Sequence, residues 1–239
     1  MAENWVNAAA ELFGAELNET QREQFRVYEA LLMEWNAKIN LTAVRDPEGI
    51  RVKHFLDSLS CVPVLGDMNG RSLIDVGTGA GFPGIPLRIF YPELRLTLVD
   101  SVGKKADFCQ LAVNTLHLKG VKVLKDRSEE LGADKAHREK YDAATARAVA
   151  VLPVLCEYLL PLVKPGGRML AMKGETAPDE VKTASAAISR LGGSEPALTE
   201  VDLPGVEGKR WLVSIPKTSP TPSGYPRRTG LPLKKPILQ

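Results

Sequence analysis

Long hydrophobic runs are missing from this sequence. No stretch approaches the 18 consecutive apolar residues of a membrane-spanning helix, and the first residues have neither the basic flank nor the apolar core of a secretory signal. We therefore expect a soluble protein of the cytoplasm that makes no membrane contact.

Cysteine is also scarce. The chain has three cysteines, Cys61, Cys109 and Cys156, with no CxxC pair and no histidine at the spacing of a metal ligand. We expect reduced thiols that pack as buried hydrophobic side chains, and no metal site.

Net charge is small but unevenly placed. The formal net charge is +2, yet residues 217–239 contain five lysines and arginines and no acid, which leaves 26 − 29 = −3 on the rest of the chain. The same segment contains five prolines. Because such a composition does not pack a core of its own, we expect an extended basic arm that becomes ordered on a surface or a partner.

The remainder has the composition of a globular domain, with 44% hydrophobic and 25% charged residues over the whole chain. Apolar side chains at helical spacing predict a helix over residues 18–35, with Thr20 and Glu23 as its capping box, and a second helical stretch over 47–62. From residue 71 onward, short β-rich runs alternate with helical ones, which is typical of βαβ units around a parallel sheet.

Seven strands are predicted, at residues 72–76, 94–100, 121–125, 141–145, 168–173, 198–203 and 211–215. The link between the last two strands is too short for a crossover helix, so they should pair antiparallel. We expect an α/β fold with a seven-stranded sheet and an N-terminal helical extension, which is not the arrangement of dinucleotide-binding dehydrogenases.

A glycine-rich turn follows the first predicted strand. Its three glycines, which allow a ligand to approach the backbone at a strand-to-helix turn, are Gly77, Gly79 and Gly81. The dinucleotide-binding pattern would require glycine at position 82. Phe82 stands there instead, and with Pro83 it would obstruct a pyrophosphate at the start of the helix.

Two carboxylates flank this turn. Asp75 precedes the glycines and suits a cationic ligand better than a phosphate, while Asp100 ends the second predicted strand, near the offset at which an acid receives ribose hydroxyls. Together these features favour S-adenosyl-L-methionine over NAD. The residues alone leave two alternatives open: another nucleotide cofactor, or a purely structural turn with solvated carboxylates.

Motifs along nearly the whole chain carry a family resemblance. They lie at residues 36–42, 54–59, 75–86, 146–148, 172–174 and 225–228. In this order they resemble the bacterial ribosomal RNA small subunit methyltransferase G family, formerly called glucose-inhibited division protein B. The resemblance implies a class I S-adenosylmethionine-dependent methyltransferase fold, which is Rossmann-like. It also implies methyl transfer to N7 of a guanine in the 530 loop of 16S rRNA, with free RNA or the 30S ribosomal subunit as the partner.

The resemblance also implies cofactor contacts, at Gly77, Phe82, Ser128, Glu129 and Arg147. We add two residues from the sequence itself. A side chain at Gly79 would occupy space that the ligand needs, and Asp100 has the spacing of a ribose acceptor.

The expected chemistry makes few demands on side chains. Guanine N7 carries a lone pair and no proton, so its attack on the sulfonium methyl group needs positioning and desolvation but no general base. The Pro-Pro pair typical of exocyclic-amine methyltransferases is missing, and no cysteine follows a proline as the nucleophile of a pyrimidine C5 methyltransferase commonly does. We therefore assign no catalytic residue.

RNA contact is expected from local basic clusters, because the charge of the body does not attract polyphosphate. The candidates are Arg51, His54, Arg210, Arg227 and Arg228. The alternatives are a solubilising tail for the basic arm and a packing role for His54.

Three functions remain to be separated: an rRNA methyltransferase, a small-molecule methyltransferase, and a cofactor-bound RNA-binding protein without turnover. We expect a monomer in three parts. Residues 1–65 would form the helical extension, 66–216 the methyltransferase domain, and 217–239 the arm.

Overall fold

The computed structural model describes residues 4–238. They divide into two compact units. The first comprises the described residues up to Arg71, together with Thr78–Lys125 and Asp202–Glu207, and the second comprises Ser72–Gly77, Asp126–Val201 and the described residues from Gly208 onward. Within residues 4–238, no helix combines the length and the apolar character needed to cross a membrane.

Seven strands form one sheet: β1 (Ser72–Val76), β2 (Arg95–Val99), β3 (Val121–Leu124), β4 (Tyr141–Arg147), β5 (Val163–Lys173), β6 (Ala197–Val201) and β7 (Arg210–Pro216). Their order is β3-β2-β1-β4-β5-β7-β6. β2 pairs parallel with β3, and β4 pairs parallel with both β1 and β5, whereas β7 pairs antiparallel with β5 and β6. The prediction of an α/β fold with an antiparallel finish is confirmed.

The fifth strand begins earlier than its sequence predicts. β5 starts at Val163, so Pro165 and the two glycines after it lie inside the strand, whereas the pattern predicts them before it. The register of β4 against β5 is interrupted between Tyr141 and Ala143. Proline and glycine are tolerated in a strand where the ladder is interrupted, and this is why the boundary prediction was wrong.

The helices of the first unit are α1 (Asn4–Phe13), α2 (Glu19–Ile39), α3 (Pro47–Ile50), α4 (Asp57–Leu59), α5 (Val62–Leu65), α6 (Gly84–Phe90) and α7 (Gly103–Thr115). A π-helical segment, Arg51–Leu56, continues α3 into α4. The second predicted helical stretch is therefore helical, although it contains this wider turn.

Helix α2 begins with a capping box other than the predicted one. The Asn18 side chain accepts the Gln21 N–H at 3.0 Å, and the Gln21 side chain accepts the Asn18 N–H at 2.9 Å. The assignment to Thr20 and Glu23 was wrong, because Asn and Gln can make the same reciprocal bonds two residues earlier. Glu23 instead pairs with Arg26 at 2.8 Å.

Aromatic side chains join the leading helices into the core of the first unit. The ring centroids of Phe25 and Phe55 lie 4.9 Å apart, and those of Tyr28 and Phe55 lie 5.4 Å apart. Complete burial of one such side chain stabilises the fold by roughly 1.5–3 kcal/mol. Gln21 Nε2 also donates to the carbonyls of Ile89 and Phe90, both at 3.0 Å, at the end of α6.

The second unit holds α8 (Ser128–Ala133), α9 (Leu152–Leu159), a 3-10 turn (Leu160–Leu162), α10 (Ala177–Arg190) and α11 (Leu231–Lys234). Its C-terminal segment starts with a buried lysine, Lys217, whose Nζ donates to the carbonyls of Leu160 at 3.0 Å and Leu191 at 2.7 Å. Burial lowers the pKa of Lys217 to about 8. The segment expected as an arm is ordered against this unit.

Candidate functional site

The glycine turn of the first unit leaves one face of its backbone open. Gly79 has φ +62°, a conformation that side chains disfavour, and a Cβ placed there would meet no heavy atom within 4 Å. Thr78 donates its N–H to the Val99 carbonyl at 3.0 Å, and Phe82 donates to the Thr78 carbonyl at 3.0 Å. Backbone hydrogen bonds therefore fix the conformation of the turn, and the position that a Cβ of Gly79 would take is open space.

Asp100 determines the shape of this turn. One carboxylate oxygen accepts the Gly79 N–H at 3.0 Å, and the other accepts the Val102 N–H at 2.8 Å. The residue is 6% exposed. Each carboxylate oxygen has a further lone pair, so Asp100 can also receive ribose hydroxyls, as the sequence predicts. The structure thus brings Gly79 and Asp100 together.

Cys109 contacts the same turn, which the sequence did not predict. Its thiol donates to the Gly79 carbonyl at 3.4 Å. All three cysteines are buried thiols outside any disulfide bond, as expected for core residues. Helical spacing placed Cys109 on a packed face, but no sequence pattern showed which backbone group it would reach.

Phe82 directs its side chain into the aromatic core. Phe82 is 3% exposed, and its ring stacks on His54 with centroids 4.6 Å apart and lies 5.6 Å from Tyr28. The Phe82 side chain is therefore occupied by packing within the first unit. Its backbone is the part that remains at the glycine turn. A cofactor contact by this residue remains a prediction, and it would involve the main chain.

His54, one of the predicted RNA contacts, is itself held from both ring nitrogens. Nε2 lies 2.7 Å from Thr42 Oγ1, and Nδ1 lies 2.9 Å from the Lys53 carbonyl oxygen. The residue is 9% exposed. This geometry favours the packing role over direct RNA contact.

Ser128 and Glu129 begin α8 in the second unit, and each is 5% exposed. Ser128 Oγ donates to Glu129 Oε2 at 3.3 Å, and the Gly230 N–H donates to Glu129 Oε1 at 2.9 Å. The two predicted cofactor residues are thus adjacent and ordered. The contact with Gly230, 101 positions away, was not predicted.

Arg147 is the last residue of β4, and an unusual loop follows it. Ala148 has φ +56°, which costs roughly 1–2 kcal/mol for a residue with a side chain. Val149 then packs so closely on Gly77 that a Cβ at Gly77 would lie 2.5 Å from Val149 Cγ2. A side chain at position 77 would need Val149 to shift, and the φ of +67° at Gly77 is one that side chains rarely adopt.

A partly buried ion pair fixes the same loop. Lys173 Nζ donates to the Ala150 carbonyl at 2.9 Å and lies 2.8 Å from Glu180 Oε2, which in turn accepts the Leu152 N–H at 2.6 Å. Lys173 and Glu180 side chains are 12% and 14% exposed. The role of Lys173 in the 172–174 motif is therefore to hold the segment that follows Arg147.

The remaining predicted RNA contacts differ in their surroundings. Arg51 makes a bidentate pair with Glu29 at 2.6 and 2.9 Å, and Arg227 makes one with buried Glu157. Arg210 begins β7 and is half-buried, whereas Arg228 is exposed. Residues 4–238 contain no group of three or more His, Cys, Asp or Glu side chains arranged to hold a metal ion.

Comparison with known proteins identifies the family of this chain. A family model described as rRNA small subunit methyltransferase G matches residues 21–204. The ribosomal RNA small subunit methyltransferase G of Roseiflexus castenholzii is 53% identical over 226 residues, which is 95% of this chain and 96% of the relative. The protein of the same name from Staphylococcus carnosus is 44% identical over 241 residues and 100% of both chains.

Solved structures agree at the level of the fold. A SAM-dependent methyltransferase from Aquifex aeolicus has a TM-score of 0.55 at 17% identity, over 74% of this chain and 96% of that chain. A SAM-dependent O-methyltransferase from Thermotoga maritima has a TM-score of 0.54 at 14% identity, over 80% of this chain and 72% of that chain. The fold is that of the S-adenosylmethionine-dependent methyltransferases, and the chain belongs to the rRNA small subunit methyltransferase G family.

Proposed function

We propose that this protein transfers the methyl group of S-adenosyl-L-methionine to N7 of a guanine in the 530 loop of 16S rRNA. The observation that carries the proposal is the turn held by Asp100, with its open face at Gly79, in a chain of the rRNA small subunit methyltransferase G family. We further propose that the protein acts in the cytoplasm as a monomer.

The residues of the first unit fit the cofactor. When bound, S-adenosylmethionine supplies a methyl group already activated on a sulfonium. The open backbone at Gly79 admits a nucleoside, and the Asp100 carboxylate accepts its ribose hydroxyls. Asp75, which precedes the glycines, suits a cationic ligand better than a phosphate, and Phe82 with Pro83 would obstruct a pyrophosphate at the start of the helix.

We also propose cofactor contacts for residues of the second unit. Gly77 directly follows β1 and Arg147 ends β4, and ligands of open α/β sheets bind outside the carboxyl ends of such strands. Ser128 and Glu129 lie at the start of α8, after β3. We propose that all of them contact the cofactor, as does the backbone of Phe82.

The chain needs no proton acceptor for this reaction. Guanine N7 attacks through a free lone pair, so the protein contributes by aligning N7 with the S–CH₃ bond and by excluding water, which can account for roughly 7–11 kcal/mol of a barrier. Lys173 and Glu180 hold the loop after Arg147 in place. This loop helps to align N7 with the S–CH₃ bond.

For the RNA contact we propose the predicted arginines Arg51, Arg210, Arg227 and Arg228, while His54, with both ring nitrogens engaged, is kept as a packing residue. Residues 217–239 hold five basic residues and no acid; Lys217 is buried and Arg227 pairs with Glu157, so the exposed Arg228, Lys234 and Lys235 supply the local positive charge for RNA. We also propose that residues 1–65, 66–216 and 217–239 act as helical extension, methyltransferase domain and basic segment.

Methyl transfer from labelled S-adenosylmethionine tests the proposal. Undermethylated 16S rRNA and 30S subunits would be incubated with the enzyme, and the RNA would be cleaved into fragments to locate the label and then digested to nucleosides to identify the labelled base. Labelled 7-methylguanosine from the 530 loop is the expected product, and comparison of the two substrates shows which form of the RNA is used. Cofactor binding without label transfer would favour an RNA-binding protein without turnover, and label only in small molecules would favour a small-molecule methyltransferase.

A further inference from the structure

The C-terminal segment is attached to the second unit along its length. Lys217 pairs with Gly193 in a β-bridge, and the Thr221 N–H donates to Glu139 Oε1 at 2.7 Å. Arg138 donates to the carbonyls of Thr221 at 2.7 Å and Pro222 at 3.1 Å. Residues 217–222 are therefore attached to the second unit on the N-terminal side of Arg227 and Arg228.

Two contacts next connect the segment to α8, the helix that begins with Ser128 and Glu129. Arg138 Nη1 donates both to the Tyr225 carbonyl at 2.5 Å and to the Gly132 carbonyl of α8 at 3.0 Å. Pro226 lies against Gly132, where a Cβ would be 2.9 Å from Pro226 Cγ. The segment thus packs against Gly132, near the end of α8.

Arg227 anchors the segment on α9. Its Nε and Nη2 donate to the two carboxylate oxygens of Glu157 at 2.9 and 2.6 Å, and its backbone N–H donates to the same carboxylate at 2.7 Å. The Glu157 side chain is 1% exposed. The side-chain hydrogen bonds with Glu157 raise the pKa of Arg227. A buried carboxylate with three donors from one residue is a strong and specific anchor.

Three residues later the segment reaches the first turn of α8. The Gly230 N–H donates to Glu129 Oε1 at 2.9 Å, and Thr229 Oγ1 donates to Glu130 Oε1 at 3.3 Å. The Glu129 carboxylate is almost excluded from water, so it depends on such donors. Because only two residues separate Arg227 from Gly230, the anchor at Arg227 restricts where the Gly230 donor can lie.

From these contacts we infer that residues 225–230, anchored by Arg227 on Glu157, position Glu129 and α8 for cofactor binding. Arg227 is then a positioning residue of the cofactor site. The inference rests on the proposed function, in which Ser128 and Glu129 contact S-adenosylmethionine. Its physical basis is preorganisation: α8 held in advance binds ligand without the cost of ordering it.

Two adjacent arginines provide a matched test. Arg227→Met removes the anchor, while Arg228→Met makes the same chemical change at an exposed neighbour. Calorimetric titration with S-adenosylmethionine, without RNA, should show about tenfold weaker binding for Arg227→Met and wild-type affinity for Arg228→Met. Equal affinity of both variants and the wild type would overturn the inference. Arg227→Lys, which keeps a cation for Glu157, should recover part of the affinity.

Kinetics separates positioning from loss of folded protein. A positioning role predicts a raised KM for S-adenosylmethionine with a kcat near wild type at saturating cofactor. Loss of folded protein would lower kcat and the binding stoichiometry and leave the dissociation constant unchanged, and this result would contradict the inference.

A second variant avoids leaving a buried charge without its partner. The full-length double variant Arg227→Met, Glu157→Gln lacks the anchor, leaves no buried carboxylate at position 157 and keeps the Gly230 donor in the chain. About tenfold weaker cofactor binding by this folded chain would support the inference, and wild-type binding would overturn it. If the wild-type protein itself fails to bind S-adenosylmethionine, it is the proposed function that fails.

Discussion

Gly79 donates its backbone N–H to Asp100 Oδ2 at 3.0 Å. The same carboxylate accepts the N–H of Val102, so the residue at the end of β2 has a structural task in addition to the proposed ribose contact. A single side chain thus shapes the turn and offers the remaining lone pairs to a ligand. Substitutions at these two positions are expected to affect cofactor binding for different reasons.

Asp100→Asn should weaken cofactor binding by roughly ten- to one-hundredfold, because a lost hydrogen bond to a charged group costs about 1.5–3 kcal/mol. The amide nitrogen of the new side chain would also face a backbone N–H group, and neither of these two donors can accept a hydrogen bond from the other. Asp107→Asn, the same change at an exposed position of α7, serves as control and should bind normally. Calorimetric titration measures both, and wild-type affinity of Asp100→Asn would rule out the assigned role.

Gly79→Ala should lower cofactor affinity at least tenfold, because the new methyl group projects into the open space that the ligand is proposed to use. Its positive φ adds roughly 1–2 kcal/mol of strain. Gly205→Ala is the matched control, since Gly205 also has positive φ and open space around a Cβ. Both variants should lose similar stability in thermal unfolding, but only Gly79→Ala should lose affinity. Equal affinities would place the cofactor elsewhere.

Lys173→Met should release the loop after Arg147. The change removes the donor to the Ala150 carbonyl and leaves the partly buried Glu180 carboxylate without this cation. We expect a loss of roughly 1–3 kcal/mol in the free energy of unfolding and at least a tenfold lower kcat. Lys182→Met, which breaks the exposed pair with Asp179 on α10, should leave both quantities unchanged. A wild-type kcat for Lys173→Met would show that the loop has no part in alignment.

Lys217 should make stability rise with pH in the alkaline range. Burial lowers its pKa to about 8, whereas the unfolded chain keeps the ordinary value of 10.5, so between these values the unfolded state binds the extra proton. The wild type should gain up to about 3 kcal/mol of unfolding free energy between pH 8 and pH 10.5. Lys217→Met should lack this rise. Denaturant unfolding of both proteins at several pH values measures the difference, and parallel pH profiles would contradict the prediction.

Arg228→Met should reduce RNA affinity without affecting the cofactor. Loss of one phosphate contact lowers the slope of log affinity against log salt by about 1. Arg190→Met, at the exposed end of α10, is the control. Filter binding of 16S rRNA over a range of salt concentrations measures the slopes. Identical slopes for both variants would remove Arg228 from the RNA surface.

The local sequence pattern was sufficient to predict the strands of the fold and the antiparallel pairing of the last two. The β-rich runs, the short link before β7 and the glycine turn are properties of neighbouring residues, and they predicted the seven strands and the antiparallel finish correctly. Two boundary predictions were wrong. The β5 start at Val163 and the capping box at Asn18 depend on hydrogen bonds that several adjacent residues can make equally well.

The sequence by itself also predicted the kind of ligand: the glycine turn and Asp100 favour S-adenosylmethionine, and the family resemblance implies it. It did not determine where side chains point or which distant groups meet. Phe82 turning into the aromatic core, Val149 against Gly77 and Gly230 donating to Glu129 are decided by the packing of segments far apart in the chain. Such contacts have no fixed spacing, since they exist only when burial removes water and a donor must find an acceptor within the folded chain.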